Sequence, residues 1–528
     1  MNQHNRFLLA IGAVGLLLGG CGSSGGGGGG GTAGSTRYFF FQDGPIGGLI
    51  AADPAHPAKT ITVDSQSISG AVEVFAGTLN PGPPVSVTDF HADTVVYGGQ
   101  DGHLYQVSAL KSNGPPAATQ LSNEAGAGLI CRSTSDGFDL TDPALSQFVY
   151  ELPGPNGTCS DNITQDNVWR MVTVGMSASD SPVPAKEPVA ALHDWSTTGA
   201  LIGWLALDGA NLYRYDPQFT DSTKQLVVTI TSGVSRVDAS TEMPADGIFL
   251  VMDNTLRFYN VATGTLSASL YSNVPFGIGA IAIIRDGVYG YFQDGSSIYK
   301  VPADGSAPAT LLVSDHLGPV FALLDYSVVY TVLTGTGTEL HTVLKSGMLS
   351  FKLDSVPDEI TGLWTAGFRV YYNVLSASGV TAKVMREDGT PESSSVNAAW
   401  VGMSNSTTLS YGTRPTPMRL ILAKKMHGVS VARSALSSID AATNAPVAKL
   451  GSVPSDIDHI GFFGSGDELL AVGWSGYLLP PDIAVISAAD VFFLDSETTN
   501  SFARVSSTPD IESLIQTQFP AFSLYATF

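Results

Sequence analysis

Positive charge is scarce in this sequence. Its 528 residues hold 25 Lys and Arg against 47 Asp and Glu, a formal net charge of −22. With the acids scattered rather than blocked, such a surface repels phosphate backbones and anionic headgroups, which excludes nucleic acid as a partner. Histidine is sparse as well: nine residues, no pair spaced i, i+4 and no HExxH, so a helical two-histidine metal site is excluded. Cysteine is limited to three residues. A nucleophile elbow of the G-x-S-x-G kind is missing; the nearest approach, GWSGY at 473–477, ends in Tyr477. Against these shortages stand 58 Gly and 30 Pro with 44% hydrophobic residues, the composition of a well-filled core divided by many turns.

The N-terminus has the layout of a secretory signal. MNQHNR carries Arg6, FLLAIGAVGLLL follows at 7–18, and LGGC closes the segment at Leu18–Cys21. The apolar run of 12 residues is shorter than the roughly 17–25 of a membrane span. LGGC resembles the lipobox of bacterial lipoproteins. The resemblance implies a signal peptide over 1–20, cleavage before Cys21, diacylglyceryl on its thiol and acylation of the new amino terminus, because two or three chains anchor stably where one does not. Position 22 is Gly rather than Asp, which by the same resemblance leans towards the outer membrane of a bacterial cell envelope. GSSGGGGGGGTAGST (22–36) then forms a tether, a flexible coil reaching roughly 20 Å, and 37–528 is the folded domain. With Cys21 assigned to lipid, Cys131 and Cys159 remain. Outside the cytoplasm such a pair usually closes as a disulfide, contributing on the order of 3–4 kcal/mol. Two free thiols or a metal pair are the alternatives, although zinc would want four ligands.

The segment 281–314, IAIIRDGVYGYFQDGSSIYKVPADGSAPATLLVS, alternates four hydrophobic runs with three turns. Asp-Gly between such runs is a strong hairpin signal, because the turn needs positive φ. The runs IAII, VYGYF, SIYKV and ATLLV therefore read as a four-stranded antiparallel meander. Related hairpins begin at 103, 211, 255, 297, 339, 383, 435 and 490, the last six intervals being 44, 42, 42, 44, 52 and 55 residues. A period of that size with four short strands per unit indicates an all-β fold, a β-propeller of four-stranded antiparallel blades. About ten hairpin units can be counted, and seven or eight blades are expected, since single rings commonly hold four to eight. RYFFFQDGPIGGLIAADPAHPAKTITV (37–63) reads as the last three strands of a blade. The spare β-capable run in 513–528 is expected to complete it and close the ring. FVYEL (148–152) and NVWRMVTV (167–174) read as middle strands around an unusually long loop.

That loop contains SDNITQDN at 160–167. Asp161 and Asp166 are candidate Ca²⁺ ligands on oxygen content, although the EF-hand's central Gly and terminal Glu are missing, and a solvated polar loop is the plainer reading. SALK (108–111) and SDN (160–162) follow the order of two β-lactamase elements, but no KTG follows and SALK falls in a β-turn region. No cofactor is expected. TLRFYNVATGTLSASL and ALSSIDAATNAPVAKL resemble repeats of quinoprotein-like propellers. The second has Asp440 and Thr443 but Asn444 where Gly is usual; the first has Thr263 and Gly264 but Asn260 in place of Asp. The resemblance implies blade architecture, with Asp440 and Thr443 as turn residues.

In overall plan the chain resembles the propeller lipoproteins of envelope assembly machines. That implies a non-enzymatic binding or scaffold module, joined to a membrane through its lipid anchor and offering loops to a protein, peptide or glycan partner. The alternative is an extracytoplasmic propeller enzyme of lyase, lactonase or glycosidase type, with carboxylates and a metal in a central funnel.

Overall fold

The structure is a computed structural model, and it describes strands and turns between Tyr38 and Tyr525. Residues 1–37, 43–47, 78–90, 109–113, 124–131, 136–146, 153–167, 174–180, 194–200, 238–246, 275–282, 405–418, 428–431, 454–458, 480–482, 496–500, 507–522 and 526–528, with a few shorter stretches, lie outside the described residues.

The described chain is built of antiparallel meanders, each strand pairing with the next in sequence. Ten sheets follow one another, at 39–64, 68–120, 132–182, 187–229, 234–272, 284–314, 317–356, 359–396, 398–453 and 459–506. They are numbered here as blades 1 to 10. The QDG turn that prompted the hairpin reading joins Tyr289–Asp294 to Ser297–Pro302, with Gly295 at φ 58°. The hairpins beginning at 211, 297, 339, 383, 435 and 490 are each the third and fourth strands of a blade.

Both faces of blades 2 to 8 are buried. Neighbouring residues of a second strand point to opposite sides, and the cores use both. In blade 2 Tyr97 packs back on Leu49 and Ala51 of blade 1, while Val96 packs forward on Tyr150 and Val172 of blade 3. In blade 8 Tyr372 joins the core shared with blade 7 and Tyr371 the core shared with blade 9. The same alternation links blades 3 to 7 through Trp204, Leu205, Phe249, Leu250, Tyr291 and Phe292. Each such side chain contributes about 1.5–3 kcal/mol on burial, and no blade can collect it alone. First strands of several consecutive blades adjoin one another, the fourth strands of blades 9 and 10 do likewise, and the last strand of blade 1 lies beside the fourth strand of blade 10. Sheets stacked face to face in a closed succession are a β-propeller.

Two expectations are corrected. The sheets number ten among the described residues, not seven or eight: every hairpin unit counted in the sequence is a blade, none a decoration. The C-terminal strand Ser523–Tyr525 does not complete blade 1, which has three strands among the described residues; it pairs with the first strand of blade 10, His459–Ser465. Its partner edge is the inner one of the last blade. The middle strands expected in blade 3 are present as Gln147–Leu152 and Val168–Thr173.

Candidate functional site

A propeller offers two rims. One, the B–C rim, carries the turns between second and third strands; the other, the A–B rim, carries the turns from first to second and from third to fourth strands. Their chemistry here differs.

Along the B–C rim the turns are polar. Blades 2, 4, 5 and 6 place Asp101, Asp208, Asp253 and Asp294 there. These carboxylates are engaged within the protein. Asp253 of blade 5 accepts the backbone N–H groups and hydroxyls of Thr231 and Ser232 on the connection from blade 4, and those bonds outweigh burial to hold its carboxyl below the usual range. Asp294 of blade 6 accepts the Tyr271 hydroxyl of blade 5 at 2.8 Å. Asp101 accepts from Tyr105, whose phenol is pushed up to about 12 chiefly by that bond.

Blades 7 and 8 replace the acid by a duplicated hydroxyl turn. Thr334 Oγ1 donates to the Gly337 carbonyl at 2.9 Å and accepts from the Thr336 N–H. Ser376 Oγ donates to the Gly379 carbonyl at 2.9 Å and accepts from the Ser378 N–H. Beside each turn an apolar side chain stands in solvent at the same strand position, Leu333 in blade 7 and Leu375 in blade 8. The patch pairs adaptable hydroxyls with two aliphatic anchors, in register on adjacent blades.

The A–B rim sets apolar tips among charged turns, with Asp304, Asp325 and Asp388 exposed on blades 6, 7 and 8. Val288, Tyr326 and Phe368 each immediately precede a second strand, in blades 6, 7 and 8. Their carbonyls accept equivalent bonds, from the N–H of Ala303, Lys345 and Glu387, the residues just beyond the third strands. The three are thus one structural position repeated, 65%, 76% and 43% exposed. Arg369 and Arg386 lie against the Phe368 ring, their guanidinium carbons 4.5 and 4.6 Å from its centroid. Leu349 adds a further exposed side chain on a neighbouring turn.

Partly buried carboxylates lock blade to blade, Asp354 within the fourth strand of blade 7 and Asp286 in the turn on the A–B rim just before Val288. Asp354 of blade 7 accepts from Lys383 at 2.7 Å and from Tyr372 at 2.5 Å, both of blade 8. Asp286 of blade 6 accepts from Tyr291 at 3.0 Å and pairs with Lys345 of blade 7 at 2.9 Å. Burial works against the charge of both acids, and the donors around them nevertheless hold both carboxyls below the usual range. Burial, and then the acids, push the Tyr372 and Tyr291 phenols far above theirs. Ionised and fully occupied, these groups act as structural clasps.

Of the residues singled out in the sequence, Cys21, Cys131, Cys159, Asp161 and Asp166 lie outside the described residues. Among the described residues no three His, Cys, Asp or Glu side chains stand together in a metal-holding group. Asp440 and Thr443 are turn residues, the Thr443 N–H donating to Asp440 Oδ1 at 2.9 Å. Asn260 makes the same bond to the Thr263 N–H at 2.8 Å, and Asn444 takes the positive φ of 57° that glycine usually takes. Both departures from the quinoprotein-like pattern thus preserve its turn. Ser475 of GWSGY sits within the strand Glu468–Leu479, not on an elbow. Sequence reasoning missed the A–B rim because Val288 there extends an apolar run, whereas the strand begins at Tyr289.

No family model matches the chain, and no curated protein matches it. Solved structures similar to it include Hsv2 of Kluyveromyces lactis, at TM-score 0.33 and 9% identity over 58% of this chain and 95% of that one. A eukaryotic initiation factor gives 0.38 and 8% over 78% and 95%. A putative TolB from Agrobacterium tumefaciens gives 0.28 and 11% over 58% and 94%. At these scores the likenesses carry no argument, and the propeller assignment rests on the stacking of the blades themselves.

Proposed function

We propose that this protein is a cell-envelope lipoprotein whose propeller is a non-enzymatic binding or scaffold module, held through lipid on Cys21 and engaging a protein, peptide or glycan partner at its B–C rim. The observation that carries the reading is the duplicated patch of blades 7 and 8, where Thr334, Thr336, Ser376 and Ser378 hydroxyls flank exposed Leu333 and Leu375. A pair of exposed aliphatic side chains amid small hydrogen-bonding groups suits recognition, since interfaces combine an apolar centre with a polar, hydrogen-bonding rim. The carboxylates of the partly buried clasps are consumed in holding blades together, which supports a scaffold.

The test is a cross-link formed in the envelope from full-length chain carrying a photoreactive phenylalanine at Thr336 or Ser378. A discrete adduct that disappears when Leu333→Asp and Leu375→Asp are combined is expected. An adduct indifferent to both substitutions, or none from either site, refutes the reading.

A further inference from the structure

The chain enters the folded domain on one particular rim. Blade 1 contains Phe39–Gln42, Leu49–Asp53 and His56–Asp64, and the last of these occupies the fourth-strand radius, beside the fourth strand of blade 10. Its end at Asp64 lies on the B–C rim, from which the chain passes into the first strand of blade 2; Asp64 there accepts the Tyr97 hydroxyl at 2.9 Å. Counting back through two antiparallel pairings, Phe39 begins on the opposite rim. The first described strand therefore begins on the A–B rim, the rim of Val288, Tyr326 and Phe368.

We infer that the A–B rim of blades 6 to 8 is a membrane-seating surface, which rests on the proposed lipid anchor at Cys21 and names the occupant of this rim as the bilayer itself. Three observations converge. The apolar tips are repeated at one turn position in three consecutive blades and serve no core. Their kinds suit the interface: Tyr sits at headgroup level, Phe belongs to the apolar face of interfacial surfaces, and Arg386, lying against Phe368 and 40% exposed, can bury its stem while its head stays wet; Arg369 is itself buried against Glu392. Geometry supplies the third. Tyr326 and Leu333 flank the ends of one eight-residue strand, so the rims stand about 25 Å apart. A tether of roughly 20 Å reach brings the A–B rim to the bilayer easily; seating the B–C rim would require it to run the height of the ring as well. Given the net charge of −22, the surface that accepts the rim is zwitterionic, because anionic lipid would repel the chain.

Neutron reflectometry of the full-length acylated protein on a phosphatidylcholine bilayer tests this. The expected profile has protein density continuous with the headgroups. Tyr326→Asp combined with Phe368→Asp should open a water layer approaching about 20 Å, while Thr336→Asp combined with Ser378→Asp on the other rim should leave the profile unchanged; both pairs are exposed, and circular dichroism checks their folding. A water layer beneath the unsubstituted protein, or equal responses from the two pairs, overturns the seating. The mass of the N-terminal peptide from the same sample separates the readings: an unmodified Cys21 removes the anchor and the seating together, whereas an acylated Cys21 above a water layer removes the seating alone.

Discussion

Asn373 of blade 8 is 2% exposed and binds the first strand of blade 9 as a peptide group would. Its Nδ2 donates to the Trp400 carbonyl at 2.9 Å and its Oδ1 accepts the Trp400 N–H at 2.8 Å. Asn373→Ala strands both backbone groups in a packed interface where the Trp400 side chain is itself buried. Each unsatisfied group costs about 1–3 kcal/mol. With partial rescue by entering water the sum is about 2–5 kcal/mol, or roughly 30-fold to several-thousand-fold in the local opening equilibrium. Hydrogen exchange at the Trp400 amide reads that opening directly, and urea unfolding reads whether the loss spreads. Asn373→Asp supplies a sharper test. Neutral, it can still donate and accept; ionised, it sets a negative oxygen against the Trp400 carbonyl. Its folded-state pKa is then raised, so its stabilising contribution is complete below the unfolded value near 4 and is lost as pH rises through the folded one. Unchanged protection at Trp400 in Asn373→Ala, or an Asn373→Asp protein that, relative to the unsubstituted protein, is more stable at pH 7 than at pH 4, would refute the reasoning.

Other expectations follow from the same geometry. Asp354, held below the usual carboxylate range, contributes stability above its unfolded pKa and loses it as pH falls through the folded value; thermal unfolding from pH 7 to pH 2 should show an acid limb that is shallower in Asp354→Asn. Gly305→Ala should cost more than Gly295→Ala. Both have positive φ, but a Cβ on Gly305 would meet Phe258 Cβ at 2.3 Å whereas one on Gly295 meets nothing within 4 Å; Gly295→Ala should lose about 1–2 kcal/mol and Gly305→Ala about 1–3 kcal/mol more, measured by denaturant unfolding. Asn444→Gly should be neutral or stabilising, because glycine meets no steric cost at that φ, while Asp440→Ala should lose about 1 kcal/mol with its turn bond, both read as shifts in unfolding midpoint. Cys131 and Cys159 should give an intact mass two hydrogens lighter before reduction than after, and equal masses would mean free thiols.

The meander of four strands was legible because its turns are local. An Asp-Gly pair and the runs on either side of it fix a hairpin from a dozen adjacent residues, and the three-stranded start at 39–64 follows from the same grammar. Blade number was not legible in the same way. Blade 3 and blades 9 and 10 carry long connections, so the period drifts, and a ring's size depends on how each sheet stacks on the next rather than on any one turn. Both departures from the quinoprotein-like repeat were visible as residues, but their equivalence appeared only in the hydrogen bonds of Asn260 and the φ of Asn444.

The sequence by itself determined that the chain is all β, that it repeats and that it is acidic. These are properties of composition and of neighbours along the chain. Only the tertiary structure decided that blades 1 to 9 share cores pairwise, that the C-terminal strand joins blade 10 instead of blade 1, and that Val288, Tyr326 and Phe368 repeat one position on the rim where the first described strand begins. Those relations join residues about forty or more positions apart, and they exist because a sheet hydrophobic on both faces has to find its partners in the blades before and after it.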